Sequence, residues 1–312
     1  MPKVIYLGPE HGLAIVQGEL GASFAVVAAL PTEDGVRNAL ADADVILDAS
    51  MKVPLRRELL ESAAHLRLIV TATTGADHID AAFLQTRGIP LLTLKGQSQV
   101  LDQLTPAAEL SWLLLLACAR KLRSAIHHVE AGQWNRELFP GTMLNGRTLG
   151  LVGYGRLGKW MARYGHAFNM KVVGFDPYNH DWPSHLTPVP LKELMAQSDF
   201  ISIHVHLSNE TRKLVGAAEL ALVKPGAVLI NTSRGAIVDE DALLAALEDG
   251  RLGGLGVDVI EGEPEIQTTR VWQYAQKHPN CVITPHIGGF SPDALSVVLR
   301  FTAQRIAGFF KS

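Results

Sequence analysis

"LVGYGRLG", residues 151–158, places three glycines at the spacing of a dinucleotide-binding turn. It follows the strand-like "TLGLV" and opens the helical run "RLGKWMARYGHAF", so Gly153, Gly155 and Gly158 occupy a strand–turn–helix context. The three glycines have separate physical tasks there: a tight turn, close approach of backbone to a pyrophosphate, and close packing of helix on strand. A phosphate then sits at the positive end of the helix. Asp176 ends the next strand-like run, "KVVGFD", eighteen residues beyond Gly158, where a carboxylate can accept hydrogen bonds from adenosine ribose hydroxyls. No arginine stands beside it in "DPYNH" to receive a 2′-phosphate, so the pattern predicts NAD rather than NADP.

The fingerprint begins almost halfway along 312 residues, a length that exceeds one growing core and predicts two domains. Ahead of it, "KVIYLG", "FAVVAAL", "DVILDAS", "LRLIVTA" and "IPLLTL" alternate with helical spacings such as "LRRELLESAAH". Near-continuous apolar strands between helices predict a parallel sheet covered on both faces. Thr105–Leu122 reads as one long buried helix, with Thr105 as N-cap, Pro106 in the first turn and a basic end. A second alternation follows through "TLGLVG", "KVVGFD", "DFISIHV", "AVLINTS", "GLGVDV" and "CVITP".

Composition narrows the function classes. With 47% hydrophobic and 19% charged residues and a formal net charge of −3, the chain can bury large cores and lacks the basic excess that nucleic acid or an anionic membrane attracts. Its longest apolar run, "LSWLLLLACA", is about half the ~20 residues needed to cross a bilayer, and "MPKVIYLGPE" lacks the pattern of an export signal. A cytoplasmic protein is the expectation. Cys118 and Cys281 make neither a disulfide framework nor a metal-ligand cluster; both read as small buried hydrophobes, and no metal is expected.

Hydride transfer at a carbonyl carbon leaves an oxygen that must gain or lose a proton, so a nicotinamide site needs an acid/base. His286, in "CVITPHIGG", falls just past the carboxyl end of a predicted strand, where open α/β sheets bind their ligands. Glu263 in "EGEP" and Arg234 in "NTSRG" also follow predicted strands. Arginine's planar fork pairs bidentately with a carboxylate, while a glutamate bonded to histidine fixes its tautomer and favours its charged form. Jointly, beside a dinucleotide fingerprint, the three suit a reductase of 2-keto acids.

These stretches make the chain resemble the D-isomer-specific 2-hydroxyacid dehydrogenases. The resemblance covers nearly the whole chain through "TTGADHID" (73–80), "AGQWNRE" (131–137), "LVGYGRLG" with "FDPY", "LVKPGAVLINTSRGAIVDEDAL" (222–243), "GVDVIEGEP" (256–264) and "TPHIGG" (284–289). It implies two doubly wound parallel-sheet domains: a Rossmann NAD-binding domain (98–288) inserted into a flavodoxin-like substrate domain (1–97 and 289–312). Arg234 would then hold substrate, His286 act as acid/base with Glu263 as partner, and backbone amides around Thr74 and Gly75 receive the substrate carboxylate. The implied cofactor set is Gly153, Gly155, Arg156, Leu157, Gly158, Asp176, Thr232, Ser233, Asp258 and Gly288, with Asp258 toward the nicotinamide. Catalysis between the domains and a homodimer formed through the cofactor domains are implied as well.

Departures from the family pattern are local. His206 stands where many relatives have proline, and Phe290 and Ser291 where smaller residues precede a threonine. Trp272 and Tyr274 are unusual in a connecting segment and read as a packed helix; Met51 and Lys52 are further candidates for the substrate side. Two other functions share these features: a formate or phosphite dehydrogenase, for which glutamine in place of Glu263 would have argued in the formate case, and a non-catalytic NAD-sensing protein.

Overall fold

Along the first strand, Val4 and Tyr6 enter one apolar layer while Ile5 and Leu7 enter the layer on the opposite face, the period-2 alternation of a strand buried on both sides. This computed structural model describes Met1–Lys311. Strands β1 (Lys3–Leu7), β2 (Ala25–Ala28), β3 (Val45–Asp48), β4 (Leu68–Thr71) and β5 (Leu91–Leu92) form one parallel sheet in the order β2-β1-β3-β4-β5. That is the doubly wound order of flavodoxin-like domains.

Seven strands form the second parallel sheet: β6 (Thr148–Val152), β7 (Lys171–Phe175), β8 (Leu186–Pro188), β9 (Phe200–Ile203), β10 (Ala227–Asn231), β11 (Leu252–Val257) and β12 (Cys281–Ile283). Their order is β12-β11-β10-β9-β6-β7-β8, so the winding reverses between β6 and β9. In a Rossmann fold ligands bind at the carboxyl edge of such a switch point. The two-domain α/β architecture expected from sequence is therefore present.

The chain divides into two compact units, Met1–Leu104 with the segment from Ser291 onward, and Thr105–Phe290. The division falls seven residues later than the expected start of the inserted domain at 98. Helix Ser98–Leu101 explains this, because Leu101 is buried in the same cluster as Leu94, Leu295 and Leu299. At the other end the expected return at 289 moves to Ser291: Phe290 N–H donates to Ile287 O (2.9 Å), keeping residues 289–290 in the preceding turn. Ser291 Oγ accepts from Ala294 N–H (3.2 Å) and caps helix Pro292–Phe309, which buries Leu299 and Ile306 against helix Glu10–Leu20.

Thr105–Leu122 is not one helix. Helix Pro106–Ala119 stops before Lys121, whose φ of 50° is left-handed, and a new helix runs Leu122–Glu130. Thr105 makes no side-chain cap bond. Strand β8 went unseen in the sequence because it is short, lies at the sheet edge and ends in a proline, with two of its three residues exposed. Both cysteines are free thiols, and burial pushes each up to about 12, which fits packing rather than chemistry. No helix among the described residues is long and apolar enough to cross a membrane.

Candidate active site

Gly153 follows β6 with φ +96°, and a Cβ there would stand 2.5 Å from His204 O, so the turn needs glycine both for its dihedral and for its closeness to the loop after β9. At Gly158 a Cβ would meet Gly153 O at 2.3 Å, which fixes the approach of helix Arg156–Ala167 to the turn. Gly155 differs: a Cβ there would enter open space. It is the N-cap of that helix, with no side-chain cap, leaving the first-turn amides from Arg156, Leu157 and Gly158 directed at the opening. Two glycines are thus demanded by packing and the third leaves an approach for a ligand backbone, which fits a pyrophosphate.

At the end of β7, Asp176 is bound to this turn: Oδ2 accepts from Tyr154 N–H (2.9 Å) and Oδ1 from Tyr178 N–H (3.0 Å). Its carboxylate retains lone pairs for a ribose diol, since each oxygen accepts more than one bond. Nearby, Tyr178 Oη donates to Glu210 (2.7 Å), which places a second carboxylate on this side. Trp182 stacks on Tyr154 at 4.8 Å and supports the turn from behind.

Strands β10, β11 and β12 are neighbours and parallel, so the loops carrying Arg234, Glu263 and His286 emerge on the same sheet edge as the glycine turn. Asn231, buried at the end of β10, builds the first loop: its Oδ1 accepts from Ser233 N–H (3.0 Å) and its Nδ2 donates to Arg234 O (2.8 Å). Ser233 Oγ donates to Ile203 O (2.9 Å), Ser111 Oγ bonds Thr232 Oγ1 (2.7 Å), and Arg234 Nη1 donates to Ser233 O (2.7 Å). A Cβ at Gly235 would lie 2.3 Å from Glu261 N, so this loop is pressed against the one that leads to Glu263.

Asp258, almost fully buried, organises the last loop. Oδ1 accepts from Thr284 Oγ1 (2.6 Å) and Ile287 N–H (2.9 Å), and Oδ2 accepts from Gly288 N–H (2.7 Å). Between those anchors His286 holds φ 53°, donates its N–H to Asp258 O (3.0 Å), and sets Nδ1 2.8 Å from Glu263 Oε1. The pair remains about one-third exposed, open to a reactant. Thr74 and Gly75 follow β4 in the other unit, where Thr73 Oγ1 donates to Gly75 O (2.6 Å).

Sequence reasoning passed over Asn231, Ser111 and Thr284, which position the named residues. For Asn231 the signal was available, since "NTS" is an Asx-turn pattern after a strand. His204 was also missed: half-buried, it bonds Ser202 Oγ through Nε2 (2.8 Å), and burial lowers its pKa to about 3. Trp272 and Tyr274 pack on the core of the second unit in helix Arg270–Lys277, with Tyr274 stacked on His278. The described residues contain no group of three or more His, Cys, Asp or Glu side chains placed to hold a metal.

Two family models match the chain. The D-isomer specific 2-hydroxyacid dehydrogenase, NAD binding domain, matches residues 112–288, and the catalytic domain of the same family matches residues 8–146. A glyoxylate reductase from Thermococcus litoralis is 37% identical over 265 residues, covering 82% of this chain and 77% of the relative. A hydroxypyruvate reductase from Thermotoga maritima is 33% identical over 262 residues, covering 84% and 83%. Among solved structures, NAD-dependent formate dehydrogenase from Staphylococcus aureus in complex with NAD superposes with a TM-score of 0.85 at 27% identity, over 99% of this chain and 95% of that one. The glycine turn, the carboxylate after β7 and these matches agree, and the chain belongs to the D-isomer specific 2-hydroxyacid dehydrogenase family, with NAD as its cofactor.

Proposed function

We propose that the protein reduces a small 2-keto acid to the D-2-hydroxy acid, and catalyses the reverse oxidation, with His286 as acid/base, Glu263 as its partner and Arg234 as the substrate clamp. The observation that carries this reading is the 2.8 Å bond from His286 Nδ1 to Glu263 on the sheet edge that also holds the glycine turn and the Arg234 loop. NADH, when bound, supplies the hydride to the keto carbon. Glu263 holds the Nδ1 proton, which leaves Nε2–H of His286 to protonate the developing alkoxide. Arg234 pairs with the carboxylate and, through its charge, favours the negative oxygen. The amides around Thr74 and Gly75 are the proposed receivers of the same carboxylate. Asp258 acts through the loop: with its oxygens bonded to Thr284, Ile287 and Gly288 it fixes His286 in place.

Formate oxidation is the runner-up on this fold. Formate gives up hydride to become carbon dioxide without any oxygen gaining or losing a proton, so an acid/base dyad would have no work in it. The dyad therefore favours the 2-keto acid. Similarity to a glyoxylate reductase and a hydroxypyruvate reductase makes those two acids the first substrates to try. Glyoxylate, hydroxypyruvate, pyruvate and phenylpyruvate offered with NADH, followed at 340 nm, should give turnover with at least one. NADH formation from formate and NAD⁺, with no turnover of any keto acid, would overturn the reading in favour of the runner-up. Absence of both would support a binding role.

A further inference from the structure

Asp48 is the last residue of β3 and is 1% exposed, yet its carboxylate belongs to two loops at once. Oδ1 accepts from Ser50 N–H (2.9 Å), Ser50 Oγ–H (3.0 Å) and Met51 N–H (3.2 Å), an Asx-type turn that carries Met51 through φ 56°. Oδ2 meets His78 Nε2 at 2.6 Å, thirty residues along the chain in the loop after β4. The side chain of His78 is one-tenth exposed, and its Nδ1 is buried without a hydrogen-bond partner among the described residues. A proton is best placed on Nε2, where it has an acceptor, so His78 is the donor and Asp48 the acceptor.

The second loop contains the segment proposed above for the substrate carboxylate. Its backbone leans on the same partners: Leu55 N–H donates to His78 O (2.8 Å), and Asp80 N–H to Leu55 O (3.0 Å). The far side is tied by Thr71 Oγ1, bonded to Thr73 Oγ1 (2.7 Å), which in turn donates to Gly75 O. Those hydroxyls fix the start of the loop, and His78 fixes its end. Nothing in hydride chemistry requires a histidine and an aspartate buried here. A solvent-excluded carboxylate with four donors is a costly device that persists where it fixes geometry.

We propose that Asp48 and His78 form a positioning pair that holds the 50–55 and 73–79 loops in register, so that the amides around Thr74 and Gly75 face a substrate carboxylate. The pair touches no reacting atom. This inference rests on the 2-keto acid reading and extends it to residues that the hydride step does not use. Since His78 donates to Asp48 through Nε2, a glutamine, whose Nε2 reaches a similar distance, should replace it, whereas leucine should not.

The test is steady-state kinetics of the full chain with NADH and whichever of glyoxylate, hydroxypyruvate, pyruvate or phenylpyruvate wild type turns over best. His78→Leu should raise KM for the acid at least tenfold, with KM for NADH within twofold and kcat within threefold, while His78→Gln stays within threefold of wild type in every constant. Should His78→Leu fail to fold, Ser50→Ala, which removes one bond to Asp48 at a partly exposed site, should raise acid KM at least threefold with NADH unaffected. An acid KM within twofold of wild type in His78→Leu, or in Ser50→Ala where that variant carries the test, overturns the pair's role. So does a parallel rise in NADH KM, which would mark general loosening, and so does His78→Gln behaving as His78→Leu. A wild type that turns over none of the acids removes the underlying functional reading itself, a different result from active wild type with indifferent variants.

Discussion

His286 and Glu263 are joined at 2.8 Å, and the histidine reaches that distance from a left-handed backbone at φ 53°. Such a conformation costs a non-glycine residue about 1–2 kcal/mol, here offset by the Asp258 carboxylate that holds the amides on its C-terminal side. If the two side chains work as a unit, their losses should not add. His286→Ala is expected to lower kcat by about 10² to 10⁴, Glu263→Gln by about tenfold or more, and the double variant to match His286→Ala within twofold. Multiplicative losses in the double variant would mean that Glu263 acts independently of the histidine.

Arg234 emerges from a loop that Asn231 fixes on both sides. Removal of its guanidinium should raise KM for the acid and lower kcat together, with kcat/KM down about 10² to 10³. Arg234→Lys restores a charge but no planar fork, so only part of the loss should return. Full recovery with lysine would leave the fork without a function.

On the cofactor side, Asp176 is held by the Tyr154 and Tyr178 amides, with Glu210 bonded to the Tyr178 hydroxyl. A 2′-phosphate facing these carboxylates should cost at least ~1.4 kcal/mol, so kcat/KM with NADH should exceed that with NADPH more than tenfold. Asp176→Ser combined with Tyr178→Arg should narrow the gap. Equal use of both cofactors by wild type would be incompatible with this arrangement.

Strand-end residues were the legible part of the candidate site. Gly153, Asp176, Arg234 and His286 announce themselves because each closes an apolar run whose period names the strand, and parallel order brings such ends to one edge. The residues that pair around these strand ends were harder to read. Ser111 pairs with Thr232 across 121 residues and Asp48 with His78 across thirty, and neither periodicity nor composition reports a partner at that distance. The helix break at Lys121 was unreadable too, because a lysine in a left-handed conformation carries no breaker signal.

An assembly prediction follows from that break. Leu122, Ile126 and Val129 recur at helical spacing on helix Leu122–Glu130, and all three are exposed, as are Leu113 and Trp134, the latter 90% exposed. We propose that this stripe is an interaction surface whose occupant is a second copy of the chain, as the family resemblance implies. Light scattering at micromolar concentration should give a homodimer, and Ile126→Glu with Val129→Glu should shift it to monomer. A monomeric wild type would contradict the proposal.

His204 gives a stability test that is independent of activity. It is half-buried, with Nε2 bonded to Ser202 Oγ and Nδ1 buried without a hydrogen-bond partner among the described residues, and burial lowers its pKa from 6.5 to about 3. Unfolding therefore releases a histidine that takes up a proton near pH 6.5, while the same side chain in the folded state takes none there. Because the unfolded state binds more protons below that value, stability rises with pH and is lost as pH falls from about 6.5 toward 3. Between pH 7 and pH 5 one such histidine should contribute about 2 kcal/mol of lost stability, at about 1.4 kcal/mol per pH unit once the unfolded group is protonated. His204→Gln can still bond Ser202 and carries no titrating ring, so its urea-unfolding free energy should fall by about 2 kcal/mol less across the same window, even though the variant starts less stable. The remaining histidines are common to both proteins and cancel in the difference. Equal losses in wild type and His204→Gln would show that the buried imidazole accepts its proton in the folded state.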